Sequence, residues 1–522
     1  MGLEETKLKL EALSDQDALG YLAHYIDQST DTGNEEQAKI ALSLCDYLNT
    51  RLPDIHEPEI YYFKANIWST IKQIKHQDDS TIWDWEQPEI LNEIYWLRCA
   101  IRSDSFSKLE NIRQCQILVN TGNILSHIGR VVEAIEYRER ALLLIPKFAM
   151  ACANLGICFE TYAKNLYDGG HSVVMFKFAY DYMMNVRDED AIWDSLGFDD
   201  VKNQIVSRAE LIEHHVDFSS LETFDLNDFS IGRSQLEKNY RNWALKNKLF
   251  INPLNDLAPH NVAAQDVLHL PNVTSEAGEP PSLIGFYNQL KQEYSSARYL
   301  LWCGVTGIDS YKQHFSDKDV LLIDTLDYPN YGLAIEQLKL SFRSAYSLFD
   351  KVAFFINEYW QLKIPENKVN FNSVWFEFKQ GNKKPNINPK FTRYPNLFLR
   401  ALYWLSKDFI EYDKKSDKVL GKVMEPDADK LRTIRNQLEH KYLKVHDSIW
   451  SYTNDDQLGH YKDNIAYSLT QSELSDKSLR IIKLSRAALI YLSLAVHREE
   501  QLKENKQSGL LMPIELPTYE HF

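Results

Sequence analysis

The sequence predicts a mainly α-helical protein, with N-terminal helical repeats followed by a C-terminal four-helix bundle that carries a few short strands. Three observations predict it. The triplets Asn120-Thr121-Gly122 and Asn154-Leu155-Gly156 recur 34 residues apart, the period of a two-helix repeat. From Leu283 onward, long apolar-periodic segments dominate. The 11 Trp, 29 Tyr and 24 Phe supply packing mass that a disordered chain lacks. With 522 residues the chain exceeds one simple core and divides into two or three domains. The boundaries read from the pattern are 1–170 for the repeats, 171–282 for a connecting region, 283–505 for the bundle and 506–522 for a tail.

In the repeats, Gly129, Ala134, Ala141-Leu142 and Pro146 follow Gly122. The small residues let two helices of a hairpin approach, and Pro146 closes the second helix. Tyr61 to Ile71 and Ile90 to Ile101 read as an earlier helix pair. Residues 1–170 resemble a short tetratricopeptide array. Such arrays offer a concave surface to a protein or peptide partner; packing onto the C-terminal domain explains the same pattern.

The middle reads as a helix from Val201 to His215, then a polar, turn-rich stretch from Asp217 to Ser230. Next come Asn239-Tyr240-Arg241-Asn242-Trp243-Ala244 and the run Leu249-Phe250-Ile251-Asn252-Pro253-Leu254-Asn255-Asp256. The Asn and Asp residues of that run suit turns better than catalysis. Glu279-Pro280-Pro281-Ser282 reads as a linker.

Within the bundle, Gly332 to Leu362 is the first helix, stopping before Pro365. Asn396 to Tyr412 is the second, and Lys477 to about Lys503 the fourth. Short strands are expected at Val374–Phe378, Leu300–Leu301 and Val320–Ile323. Between the second and fourth lies the helix that carries the most informative residues, Arg435-Asn436-Gln437-Leu438-Glu439-His440, then Lys441-Tyr442. Pro426 suits its first turn, and Asp427 and Asp429 complement the positive end of the helix dipole. Leu431, Ile434, Leu438 and Val445 form an apolar stripe, while Arg432, Arg435, Asn436, Glu439 and His440 share the opposite face at about 100° per residue. Leu443 in that polar face is expected to meet another surface. An Arg435–Glu439 pair on a solvated helix is the bland reading.

Arg51 and His56 have the same spacing, and Arg208 precedes His214 and His215 at a similar distance. Pro53 breaks any helix at the first, and Ala209 gives the second no polar neighbour. Arg435 alone has the polar residue after it, the helical setting and the flanking helices.

On these residues the region from about 239 to 505 resembles the HEPN superfamily, whose ribonuclease signature is an arginine, a polar residue and a histidine spaced as Arg435, Asn436 and His440 are. The run to Asp256 and the phrase Phe342-Arg343-Ser344-Ala345-Tyr346-Ser347-Leu348-Phe349-Asp350-Lys351 are similar to its tetratricopeptide-associated members. The resemblance implies a metal-independent endoribonuclease that needs no cofactor. It assigns proton transfer to His440, phosphate binding to Arg435 and support to Asn436. It further implies a symmetric homodimer and a role in growth arrest, toxin–antitoxin control or phage defence. Arg435 and His440, five residues apart, lie about 140° apart around one helix, so two copies across a two-fold axis would converge better on one phosphate. Tyr442 extends the signature to the form silenced by a nucleotidyltransferase antitoxin; it is a candidate modification site, or a ring that borders the apolar stripe.

The loop from Lys379 to Arg400 holds Lys383, Lys384, Lys390 and Arg393 with Phe391, Tyr394 and Phe398 interleaved. That mixture can track an RNA backbone and stack bases; a solvated loop balancing an acidic chain has the same composition. The net charge of −16 disfavours indiscriminate nucleic-acid coating and leaves room for a local basic site. Six cysteines without a C-x-x-C pair read as reduced core residues of a cytoplasmic protein, with no metal site. The N-terminus lacks a secretory signal, and Ala487–Val496 is too short to span a bilayer, so no membrane contact is expected. Walker, G-x-G-x-x-G and H-E-x-x-H patterns are absent. The rival class is a non-enzymatic adaptor, with the array binding a protein and the helical domain dimerising.

Overall fold

A computed structural model describes residues 3–76, 81, 83–194, 198–221, 223–276, 278–309, 313–377, 386–409, 424–447, 465–504, 512 and 514–518. Helices α1 to α10 span Leu3–Glu11, Asp15–Thr32, Glu35–Arg51, Glu57–Lys75, Pro88–Arg102, Asn111–His127, Val131–Leu144, Ala149–Ala163, Gly169–Met184 and Asp199–His215. Then follow α11 (Gln235–Lys246), α12 (Ser282–Asp309), α13 (Leu333–Tyr359), α14 (Pro389–Thr392), α15 (Leu397–Ser406), α16 (Ala428–His440) and α17 (Gln471–Glu504). The strands are β1 (Phe376–Glu377), β2 (Asn386–Ile387), β3 (Leu443–His446) and β4 (Tyr467–Thr470).

Local chemistry sets the helix ends of the array. The Ser14 hydroxyl accepts from the Asp17 N–H at the start of α2, and Gly33 ends that helix at a φ of 61°. Asn34 then caps α3 by accepting from the Gln37 N–H. The helices pack as sequential neighbours: α4 on α5, α6 on α7, α8 on α9, and α10 on α9. Gly156 shows why the repeat asks for a small residue. A Cβ there would stand 2.8 Å from the Ala179 carbonyl oxygen of α9, closer than carbon and oxygen tolerate.

In the C-terminal part α12 lies along α13, α17 packs on both, α15 packs on α17, and α16 on α13. The stretch Ala487–Val496 of α17 is buried on every side. A helix apolar all round belongs in a core, and no helix among the described residues is long and apolar enough to cross a membrane. Leu300 and Leu301 belong to the 28-residue α12, not to a strand. Val320–Ile323 forms no strand either and is exposed. Of Val374–Phe378, only Phe376 and Glu377 are extended, paired antiparallel with Ile387 and Asn386; Phe378 lies outside the described residues.

The motif helix is shorter than the pattern suggested. It stops at His440, and Lys441 leaves the helical region with φ −140° and ψ −141°. Leu443–His446 then pairs parallel with Tyr467–Thr470, and all four β3 residues are buried. The Lys444 ammonium enters that core against Asp327, at 2.5 Å. Leu443 and Val445 are therefore not on α16. Leu443 is only 5 % exposed within its own chain, so it presents no surface to a dimer axis.

Two buried polar buckles join the array to the bundle. In one, Asp256 accepts from Arg486 of α17 at 2.6 Å and from the Tyr162 hydroxyl of α8 at 3.3 Å. The Asn252 side chain caps its own turn at Leu254 N–H, and Asn255 accepts from Phe250 N–H. The run from Leu249 to Asp256 is thus a structural buckle, in keeping with turn-forming Asn residues. In the other, Asp408 after α15 accepts from Arg98 of α5 and from Arg130, each at 2.6 Å. Burial alone would raise the Asp408 carboxyl, but Arg130 and Arg98 hold it well below the usual carboxylate range. A carboxylate depressed in the folded state stabilises above its unfolded value, about 3.9, and that stability is lost as pH falls further. Melting temperature should therefore fall steeply below about pH 4. Thermal melts across pH will check this, and in Asp408→Asn the dependence should be shallower.

Candidate active site

Residues from α12, α13 and α16 surround a cavity of about 470 Å³, lined by Phe286, Gln289, Arg343, Tyr346, Ser347, Asp350, Lys351, Phe354, Arg435 and Glu439. Helix α16 turns Leu431 and Ile434 into the core, which leaves Arg435 on the face toward α13. The Arg435 guanidinium stands 6.0 Å from the Tyr346 ring centroid, within cation–π range. It donates from Nη1 to Asn436 Oδ1 at 3.1 Å. Among the described residues it has no carboxylate partner, since Glu439 pairs with Arg343 of α13 at 2.9 Å. The Arg435–Glu439 pair of the bland reading does not form; Glu439 pairs between helices instead. The Arg343 side chain is 51 % exposed, and such a surface pair contributes under about 1 kcal/mol. Lys351 reaches Glu293 of α12 at 2.5 Å. Burial pushes the Tyr346 hydroxyl up to about 12, so it stays protonated at neutral pH.

His440 is the last residue of α16 and is exposed. No hydrogen-bond partner holds its ring among the described residues, and it is not part of the cavity lining. One chain thus brings Arg435, Asn436 and the α13 cations together, and leaves His440 outside that group. The Asn436 side-chain oxygen serves Arg435, not the imidazole.

Residues 274–499 match the family described as LA2681-like HEPN. These residues belong to the HEPN superfamily. No curated protein and no solved structure matches the chain significantly.

Within the HEPN domain, Lys390 and Tyr442 are placed differently from the sequence reading. Lys390 donates to the carbonyls of Trp360 and Gln361 at 3.0 and 2.7 Å. It satisfies the C-terminal end of α13, where orphan carbonyls need a donor, and is not free to track phosphate. Phe391 and Phe398 are core residues, each 1 % exposed, and cannot stack bases. Arg393 is exposed beside Glu499, while Lys383 and Lys384 lie outside the described residues. Tyr442 follows the helix instead of extending it, so it does not sit two turns above Arg435. Its hydroxyl is 3.3 Å from that of Tyr331.

Sequence reasoning assigned no role to Arg343, Tyr346, Ser347, Asp350 and Lys351. Their signal was present: Arg343, Ser347, Asp350 and Lys351, at positions i, i+4, i+7 and i+8 of α13, share one face. The other two Arg–His spacings are structural. Arg51 donates to Leu13 O at 2.8 Å, and Arg208 pairs with Glu160 at 2.5 Å.

Proposed function

We propose that this HEPN domain is a metal-independent endoribonuclease. The observation that carries the proposal is Arg435, a guanidinium without a carboxylate partner among the described residues, held at the edge of a cavity on the helix that ends in an exposed histidine. A planar guanidinium forks onto phosphate oxygens, and histidine exchanges protons near neutrality. In the reaction the 2′-oxygen attacks phosphorus and the bond to the 5′-oxygen breaks. An imidazole takes the 2′-proton, and an imidazolium returns one to the leaving 5′-oxygen. Arg435 stabilises the charge on the phosphorane. The products are a 2′,3′-cyclic phosphate and a free 5′-hydroxyl.

Because His440 stands outside the Arg435 cavity, the active species is a symmetric homodimer in which two α16 helices supply two Arg435 and two His440 to one cleft. The tetratricopeptide-like array takes a protein or peptide partner that controls the domain, in a cytoplasmic toxin–antitoxin or phage-defence setting. Tyr442, two residues beyond His440, is the site at which a nucleotidyltransferase antitoxin would transfer a nucleotidyl group from a nucleoside triphosphate to the hydroxyl, releasing pyrophosphate, and the added phosphodiester would compete with RNA.

The test is purified protein incubated with total RNA and with tRNA, in EDTA. Cleavage to cyclic-phosphate ends is expected, undiminished by the chelator. Intact RNA under both conditions overturns the reading, and activity restored by a divalent ion overturns the metal-free mechanism.

A further inference from the structure

We propose that the cavity beside Arg435 is a subsite for one nucleotide of the RNA strand, with the base held on its aromatic wall and its phosphate on Arg435. This rests on the ribonuclease reading and adds a substrate-recognition site to it. At about 470 Å³ the cavity lies within the range of small-molecule sites, about 300–1,000 Å³, and is larger than a lone phosphate ion requires. Its lining divides into two kinds of surface. Phe286 of α12 with Tyr346 and Phe354 of α13 make an apolar wall, and the rings of Phe286 and Phe354 meet edge to face at 5.9 Å. Arg343, Lys351 and Arg435 stand at its margin beside Asp350 and Glu439; Arg343 and Lys351 are paired with Glu439 and Glu293, which leaves Arg435 as the cation for a ligand's phosphate. A phosphate alone would leave the aromatic wall wet, and an apolar ligand would leave Arg435 unmatched. A nucleotide satisfies both, since a base gains about 1–3 kcal/mol by stacking on an aromatic side chain.

The polar groups between the two surfaces add a preference. Asp350 accepts the Phe371 N–H through Oδ1 at 3.1 Å, and its second oxygen has no partner among the described residues. A carboxylate oxygen accepts from an amino group and repels a carbonyl oxygen. Cytosine, adenine and guanine carry an exocyclic amino group, and uracil carries none.

The experiment is a binding titration of the full chain with CMP, AMP, GMP, UMP and inorganic phosphate. CMP, AMP and GMP should bind, UMP about threefold to tenfold more weakly than CMP, and phosphate more weakly than any of the four. Ser347→Trp on α13 and Gln289→Trp on α12 fill the cavity from two different helices and should each abolish nucleotide binding. Gln289 is exposed, so that variant keeps the fold if Ser347→Trp does not. Asp350→Asn should level CMP and UMP. Absence of nucleotide binding to the wild type, or binding undiminished in Gln289→Trp, overturns the subsite. Equal affinity for CMP and UMP overturns the role of Asp350. Nucleotide binding by a chain that cuts no RNA supports the subsite and sinks the ribonuclease; cleavage by a chain that binds no nucleotide does the reverse.

Discussion

His440→Ala should lower RNA cleavage by about 10²–10⁴-fold, the usual contribution of a positioned acid–base group, while leaving the melting temperature unchanged. The structural half of this expectation follows from exposure. His440 is exposed at the end of α16 and has no hydrogen-bond partner among the described residues, so its truncation opens no cavity and orphans no buried group. The chemical half follows from the reaction, in which two protons must move at neutral pH without a metal. Arg435→Ala should cause a comparable loss, because charge on the phosphorane would then lack its guanidinium. Arg435 also covers Tyr346, so a small drop in stability is expected for that variant alone. Arg435→Lys separates geometry from charge: lysine keeps the charge and loses the planar fork, and should restore only part of the activity. Rates measured on a defined RNA, beside thermal melts of each variant, decide the matter. Full activity in His440→Ala ends the assignment, and a collapse of its melting temperature makes the residue structural.

The reach of the sequence differed from element to element for physical reasons. The motif helix was legible because periodicity and a polar face agree over three turns. Its end was not. Leu443 and Val445 continue an apolar pattern that helix and strand share, and only β4, more than twenty residues later, decides for a strand. Helix α12 was missed as a unit because Leu300 and Leu301 read equally well as a short buried strand. At Lys390, Phe391 and Phe398 the basic, aromatic composition misled because composition does not reveal commitment. Lys390 closes α13, and Phe391 and Phe398 fill the core. The cavity itself depends on helices far apart in sequence, so Arg343 and Arg435 were each visible and their meeting was not. The position of Asn436 allowed it to orient the imidazole or touch substrate. The structure gives its oxygen to Arg435.

Asp408→Ala should destabilise the protein by about 3–5 kcal/mol, the cost of leaving buried charges without their partner. The Asp408 side chain is fully buried, as is Arg130, and Arg98 is 3 % exposed. Both guanidiniums lose a 2.6 Å contact when the carboxylate goes. Water cannot replace it cheaply at such depth. Arg98 keeps Glu425 at 3.3 Å, so the loss falls chiefly on Arg130, which retains Glu133 nearby. The consequence extends to the site through Glu425. That fully buried carboxylate, three residues before α16, is gripped by Arg98 and Arg102 of the array and by Arg480 of α17. Asp427, the N-cap residue of α16, is held by Arg102 and by Lys477. The array therefore fixes the start of the helix whose far end carries Arg435 and His440. Glu425→Gln, which keeps the shape and removes the charge, should lose less stability than Asp408→Ala yet reduce cleavage, because the grip on α16 loosens while its core face stays packed. Denaturant unfolding will read the first effect and initial rates the second. Wild-type stability in Asp408→Ala would show that the buckle contributes nothing, and unchanged rates in Glu425→Gln would uncouple the array from the motif helix.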